Sequence, residues 1–103
     1  MTTNHIPGGQ ALPDVSRSLF SEATYNGIGF GLGFAVTMDP AQTLIPGSPG
    51  EFNWGGAATT SFWIDPAEEL ITIFMTQVLP SSAYPLRREL RTMVYAAITD
   101  SNI

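Results

Sequence analysis

The run Glu51-Phe-Asn-Trp54-Gly-Gly-Ala57-Ala-Thr-Thr-Ser-Phe-Trp63-Ile-Asp-Pro66 continues as Ala67-Glu-Glu-Leu70-Ile-Thr-Ile-Phe-Met-Thr-Gln77. It reads as a hairpin of two strands. Trp54 to Ile64 is the first strand, Asp65-Pro-Ala-Glu-Glu69 the connection and Leu70 to Val78 the second. The connection is rich in turn formers, and the flanking runs are rich in β-branched and aromatic residues. The second strand is nearly continuous in apolar residues, as a central strand covered on both faces would be. Phe62 and Trp63, as neighbours in a strand, point to opposite faces, so at least one belongs to the core.

Upstream, Gly27-Ile-Gly-Phe-Gly-Leu-Gly-Phe34-Ala-Val-Thr-Met38 places glycine at every second position from 27 to 33. A period of two puts these glycines on one face of a strand and Ile28, Phe30, Leu32 and Phe34 on the other. Glycines in such a row mark close approach by another backbone or a ring. The third glycine of a dinucleotide-binding fingerprint is missing, because Leu32 stands there. Asp39-Pro40 and Pro46-Gly-Ser-Pro-Gly50 punctuate a loop of roughly a dozen residues before the hairpin. Residues 1–26 read as mostly loop, with one helical turn around Val15 to Phe20.

Downstream, Leu86, Leu90, Met93, Val94, Ala97 and Ile98 follow a 3.6-residue period and predict an amphipathic helix. Pro85 suits its first position, and Ser81 or Ser82 is placed to cap it. Arg87, Arg88, Glu89 and Arg91 are assigned to the solvent side. Connections too short for crossover helices require antiparallel pairing. The expected fold class is α+β: an antiparallel sheet of about three strands, with a C-terminal helix packed on one face. Residues 1–103 form one unit, with the sheet and helix in 27–98.

Composition narrows the function. The 103 residues are 44% hydrophobic and 13% charged, with net charge −5, no cysteine, no lysine and one histidine. A chain this short buries about 60–65% of the surface its unfolded form exposes. So high an apolar content on so short a chain suggests that part of its surface meets more protein. All four cations are arginines, and three of them lie between 87 and 91. Residues 1–86 therefore offer no basic patch for phosphates or an acidic membrane. No apolar run approaches the roughly 18 residues of a membrane span. The N-terminus lacks the marks of a signal peptide, which favours the cytoplasm but leaves the compartment open, since Met1 reads as an internal methionine of a longer protein. A zinc site is not expected with one histidine and no cysteine, and no cofactor is called for.

Each local candidate for catalysis reads as structure. Pro46-Gly47-Ser48-Pro49-Gly50 lacks the first glycine of a nucleophile elbow and the helix that must follow it, so it is a turn. His5, beside Pro7-Gly8-Gly9, is a loop residue rather than a triad base. Glu68 and Glu69 are adjacent and diverge, which suits a solvated hairpin tip better than a carboxylate pair. Trp54-Gly55-Gly56-Ala57 remains. Two glycines bare the backbone, and an N–H at such a strand end can donate to a developing oxyanion. That contribution is typically worth about 10²–10³ in rate.

Taken in order, Gly29-Phe-Gly-Leu-Gly-Phe34, Trp54-Gly-Gly-Ala-Ala-Thr59, Phe62-Trp-Ile-Asp-Pro66, Phe74-Met-Thr-Gln77 and a terminal amphipathic helix resemble a known pattern. It is that of the C-terminal end of the serine β-lactamase-like superfamily. The esterase branch (family VIII carboxylesterases), related to class C β-lactamases and penicillin-binding proteins, is the nearest in kind. The resemblance covers roughly residues 20–100 and implies a fragment of the β-lactamase/transpeptidase-like fold. In that superfamily a Ser-x-x-Lys nucleophile and a Tyr-x-Asn element precede a Lys-Thr-Gly strand.

Trp54-Gly55-Gly56 stands where Lys-Thr-Gly would. By this resemblance Ala57 supplies the oxyanion N–H, Gly55 and Gly56 let substrate lie along the strand, and Trp54 forms an apolar wall. The chain has no lysine, and Tyr25, Tyr84 and Tyr95 are followed two residues on by Gly27, Leu86 and Ala97. Ser-x-x-Lys and Tyr-x-Asn are therefore both missing, so the chain alone is expected to be inactive. An indole at 54 cannot pair with the carboxylate of a β-lactam, which favours a small neutral acyl ester in a complete enzyme. The expected partner is the N-terminal portion of the same fold, or another copy of the chain. The other reading is a non-catalytic interaction module that keeps only the scaffold.

Overall fold

A computed structural model describes residues 1–11 and 26–102. The helical turn expected around Val15 to Phe20 lies outside the described residues. Among the described residues the sheet has five strands in the order β1-β2-β3-β4-β5, every neighbouring pair antiparallel. They are β1 (Ile28–Phe30), β2 (Ala35–Thr37), β3 (Phe52–Gly55), β4 (Ser61–Asp65) and β5 (Leu70–Phe74). A four-residue helix α1 (Pro40–Thr43) joins β2 to β3, and α2 (Leu86–Ala96) follows the sheet.

The expectation of about three strands is thus corrected to five. Two stretches that read as single strands are each a hairpin. Gly27 to Met38 folds back at Gly31–Phe34 because Gly33 adopts φ 145° and the residue-1 carbonyl presses on Gly31, where a Cβ would lie 1.8 Å from it. Leu32 N–H donates to that same Met1 carbonyl at 3.1 Å, and His5 N–H to the Phe30 carbonyl at 2.8 Å. The N-terminal residues therefore run along the free edge of β1. Trp54 to Ile64 folds back at residues 56–60, with Gly56 N–H donating to the Thr60 carbonyl at 3.0 Å. Thr59 turns the chain at φ 75°, an unusual conformation for a β-branched residue. Its hydroxyl donates to the Val78 carbonyl at 2.6 Å, and Val78 N–H returns a bond to the Ala58 carbonyl at 3.0 Å.

β5 is a second correction. It lies at the sheet edge, not in the centre, and its residues alternate: Ile71 and Ile73 are 66% and 69% exposed. A third concerns α2. Its innermost residues are polar, with Arg91 buried, and its Met93 is 63% exposed. Pro85 sits one place before the helix, and no side chain caps it. Ser81–Ala83 forms a short 3-10 turn of its own.

Cross-strand register sorts the sheet into two faces. Asn53, Trp63 and Thr72 align on one; Phe52, Ile64 and Ile71, with Trp54, Phe62 and Ile73, align on the other. Helix α2 covers the first face, where the Trp63 and Tyr95 rings stack at 6.4 Å and 20°. The second face is aromatic. Phe34 packs on Phe52 at 5.2 Å and on Phe62 at 5.9 Å.

Candidate functional site

Helix α2 docks through Arg87, Arg91 and Tyr95, four residues apart and so on one side of the helix. Arg87 reaches one end of the sheet, while Arg91 and Tyr95 meet at Glu51. Arg91 forms a buried ion pair with Glu51, at the entrance to β3, and its guanidinium lies 4.6 Å from the centre of the Trp63 ring. Tyr95 Oη lies 2.8 Å from Asp65 Oδ2 and 2.9 Å from Glu51 Oε2. Ser48 Oγ donates to the same Asp65 oxygen at 2.6 Å. Glu51, Asp65 and Ser48 are fully buried.

This cluster has one cation for two carboxyl groups, and the phenol has one proton for two acceptors. Tyr95 shares its single hydroxyl proton between the two carboxyl groups. Burial pushes the Glu51 carboxyl above its ordinary value of 4.5, outweighing the pull of Arg91 and the hydrogen bonds from Arg91 and Tyr95. Burial and the two carboxyl groups raise Tyr95 as well, so its phenol stays protonated. Ser48, sealed against Asp65 with no histidine beside it, is a structural hydroxyl and not a nucleophile.

Arg87 reaches the turn after β3. One terminal nitrogen, Nη2, donates to the Gly56 carbonyl at 2.6 Å and to the Thr60 carbonyl at 3.0 Å. The glycines make this possible. A Cβ at Gly55 would lie 2.7 Å from Nη2 and 2.8 Å from the Thr60 carbonyl, and one at Gly56 would lie 2.5 Å from Thr60 Oγ1. The bare side of Gly55 is thus filled by a guanidinium from the helix face. Ala57 follows at the turn, exposed, its N–H without a hydrogen-bond partner among the described residues. Trp54 is 39% exposed on the opposite face, its ring edge-to-face with Phe30 at 5.6 Å.

Trp54, Gly55, Gly56 and Ala57 are therefore brought together at one strand end, as consecutive residues must be. Arg87 and the Glu51–Arg91–Tyr95–Asp65 cluster are what sequence reasoning missed. The four-residue spacing of Arg87, Arg91 and Tyr95 is the signal that could have found the helix side of this contact, though not its partners on the sheet. A shallow groove between Leu44, Ile45, Pro85 and Met93 lies elsewhere and is mostly apolar.

No family model matches the chain. Two curated proteins of Mycobacterium tuberculosis do resemble it. They are "Uncharacterized protein MT1414" of strain CDC 1551 / Oshkosh and "Protein Rv1367c" of strain ATCC 25618 / H37Rv. Each is 40% identical over 57 residues, which cover 52% of this chain and 14% of the relative. The chain spans a small part of the length of the relatives it matches.

Proposed function

We propose that this chain is the sheet-and-helix portion of a serine acyl hydrolase of the β-lactamase-like kind, supplying an oxyanion donor and an apolar substrate wall. The observation that carries the reading is the N–H of exposed Ala57, without a hydrogen-bond partner among the described residues, directly after Gly55-Gly56 at the end of β3. An N–H donor of this kind is useful only if it is held rigid before charge develops. The Arg87 bonds to Gly56 and Thr60, with the Thr59 staple to Val78, supply that rigidity. Trp54 beside it favours a neutral acyl ester over a carboxylate-bearing β-lactam. The nucleophile and its base belong to residues outside this chain, so the chain alone turns nothing over.

Titrating the ¹⁵N-labelled chain with methylphosphonate, a tetrahedral oxyanion mimic, tests the reading. The Ala57 amide resonance is expected to shift first and furthest. An unmoved Ala57 resonance would overturn the proposal, as would a serine of this chain labelled by a fluorophosphonate probe.

A further inference from the structure

We propose that Arg87 is the positioning residue for the Ala57 donor, holding and polarising the peptide group that carries it. The inference rests on the reading of Ala57 as an oxyanion donor. The Gly56 carbonyl and the Ala57 N–H are the two ends of one planar, resonant amide. The carbonyl end accepts two bonds, from Arg87 Nη2 at 2.6 Å and from Thr59 N–H at 3.1 Å. Both draw electron density onto oxygen, and the first carries a full positive charge. Density leaves nitrogen in compensation, so the Ala57 N–H becomes a stronger donor.

Orientation comes from the same guanidinium. The second Nη2 proton goes to the Thr60 carbonyl, which also accepts from Gly56 N–H, so both arms of the turn are tied to one nitrogen. The guanidinium gains access across Gly55, where any side chain would collide with it. Four residues along the helix, Arg91 is anchored by its ion pair with Glu51, and this fixes the rotation of α2 and so the reach of Arg87. Arg87 meets the carbonyl end of the amide, opposite to the N–H, so it acts on an oxyanion through the peptide and not by contact.

Base-catalysed amide exchange measured by solvent-exchange NMR on the ¹⁵N-labelled chain tests this directly. A polarised, unbonded N–H is more acidic and exchanges faster. In Arg87→Gln the Ala57 exchange rate is expected to fall by roughly 3–10-fold, the effect of removing a nearby charge. The exposed amide of Ala67, in the β4–β5 turn, serves as the unchanged reference. A purely structural role predicts the opposite, because loosening a turn never slows exchange of an amide that is already free. Arg87→Lys, which keeps the charge, is expected to restore most of the rate, and Arg87→Met, which removes it, takes the place of the glutamine variant if that does not fold. An Ala57 rate unchanged or raised in a folded variant that removes the Arg87 charge overturns the proposal. Methylphosphonate separates it from the reading beneath it. A resonance shift of equal size in wild type and Arg87→Gln overturns the role of Arg87 alone, whereas no shift in wild type overturns the donor reading.

Discussion

Arg91 and Glu51, 40 residues apart, form a buried ion pair that ties the middle of helix α2 to the entrance of β3. Its energetics are asymmetric. Two charges taken out of water are costly, and their attraction repays this only while both are present. Arg91→Met leaves Glu51 buried without its cation and is expected to cost about 3–5 kcal/mol at neutral pH. Adding Glu51→Leu should recover most of that loss. Urea unfolding followed by the near-ultraviolet signal of Trp63 checks both. A double variant no more stable than Arg91→Met alone would show that the two residues are not coupled.

The raised Glu51 carboxyl gives the fold a pH dependence of definite sign. Between its ordinary value of 4.5 and its higher folded value, the folded chain holds a proton that the unfolded chain has released. The contribution of Glu51 is therefore fully present below 4.5 and is lost as pH rises through the folded value. Glu51→Gln keeps an acceptor for Arg91 and a donor for the Tyr95 oxygen but carries no titrating proton. Its urea midpoint should fall less than that of wild type as pH rises from 4.5 into the neutral range. Parallel pH profiles for the two proteins would refute this.

The same cluster explains why the helix was legible in the sequence while its docking face was not. The 3.6-residue spacing from Leu86 to Ile98 located α2, but it assigned Arg87 and Arg91 to solvent. An arginine turns inward only where acceptors wait opposite it, the Glu51 carboxyl for Arg91 and the Gly56 and Thr60 carbonyls for Arg87. Glu51 and Asp65 lie far away in sequence, so no local pattern could report them. The strand count failed for a related reason. Alternating glycines from 27 to 33 look like one continuous strand, and the contact that folds them back comes from residue 1. Thr59 hides a turn in the same way, since nothing in Ala-Ala-Thr-Thr announces a left-handed residue. The β4–β5 connection, with Pro66 after Asp65, carries its turn chemistry locally and was readable.

That connection contains a correctable strain. Glu69 is exposed and held at φ 54°, a conformation that costs a residue with a Cβ roughly 1–2 kcal/mol. Glycine meets the same geometry without steric penalty, though it gives the unfolded chain more freedom. Glu69→Gly should therefore raise stability by about 0.5–1 kcal/mol, read as a higher urea midpoint with an unchanged slope. A lower midpoint would mean that the Glu69 side chain contributes more than the strain it tolerates.

Among the described residues no strand pairs with the outer edge of β5, which predicts self-association. Leu70-Ile-Thr-Ile-Phe-Met-Thr-Gln-Val78 has no charge and no proline, the two devices that usually keep an edge strand from pairing. Ile71, Ile73 and Met75 are 66%, 69% and 77% exposed. Two copies can extend the sheet across this edge by pairing β5 with β5 antiparallel, which satisfies the open backbone groups and covers the isoleucines. Ile73→Lys would bring a charge to each strand of the pair and place like charges near one another across the two-fold axis. Sedimentation velocity on the wild-type chain should show an oligomer that grows with concentration, and Ile73→Lys should shift it toward monomer while leaving the fold intact. A wild-type chain that stays monomeric at all accessible concentrations would mean that this edge is closed by some other means.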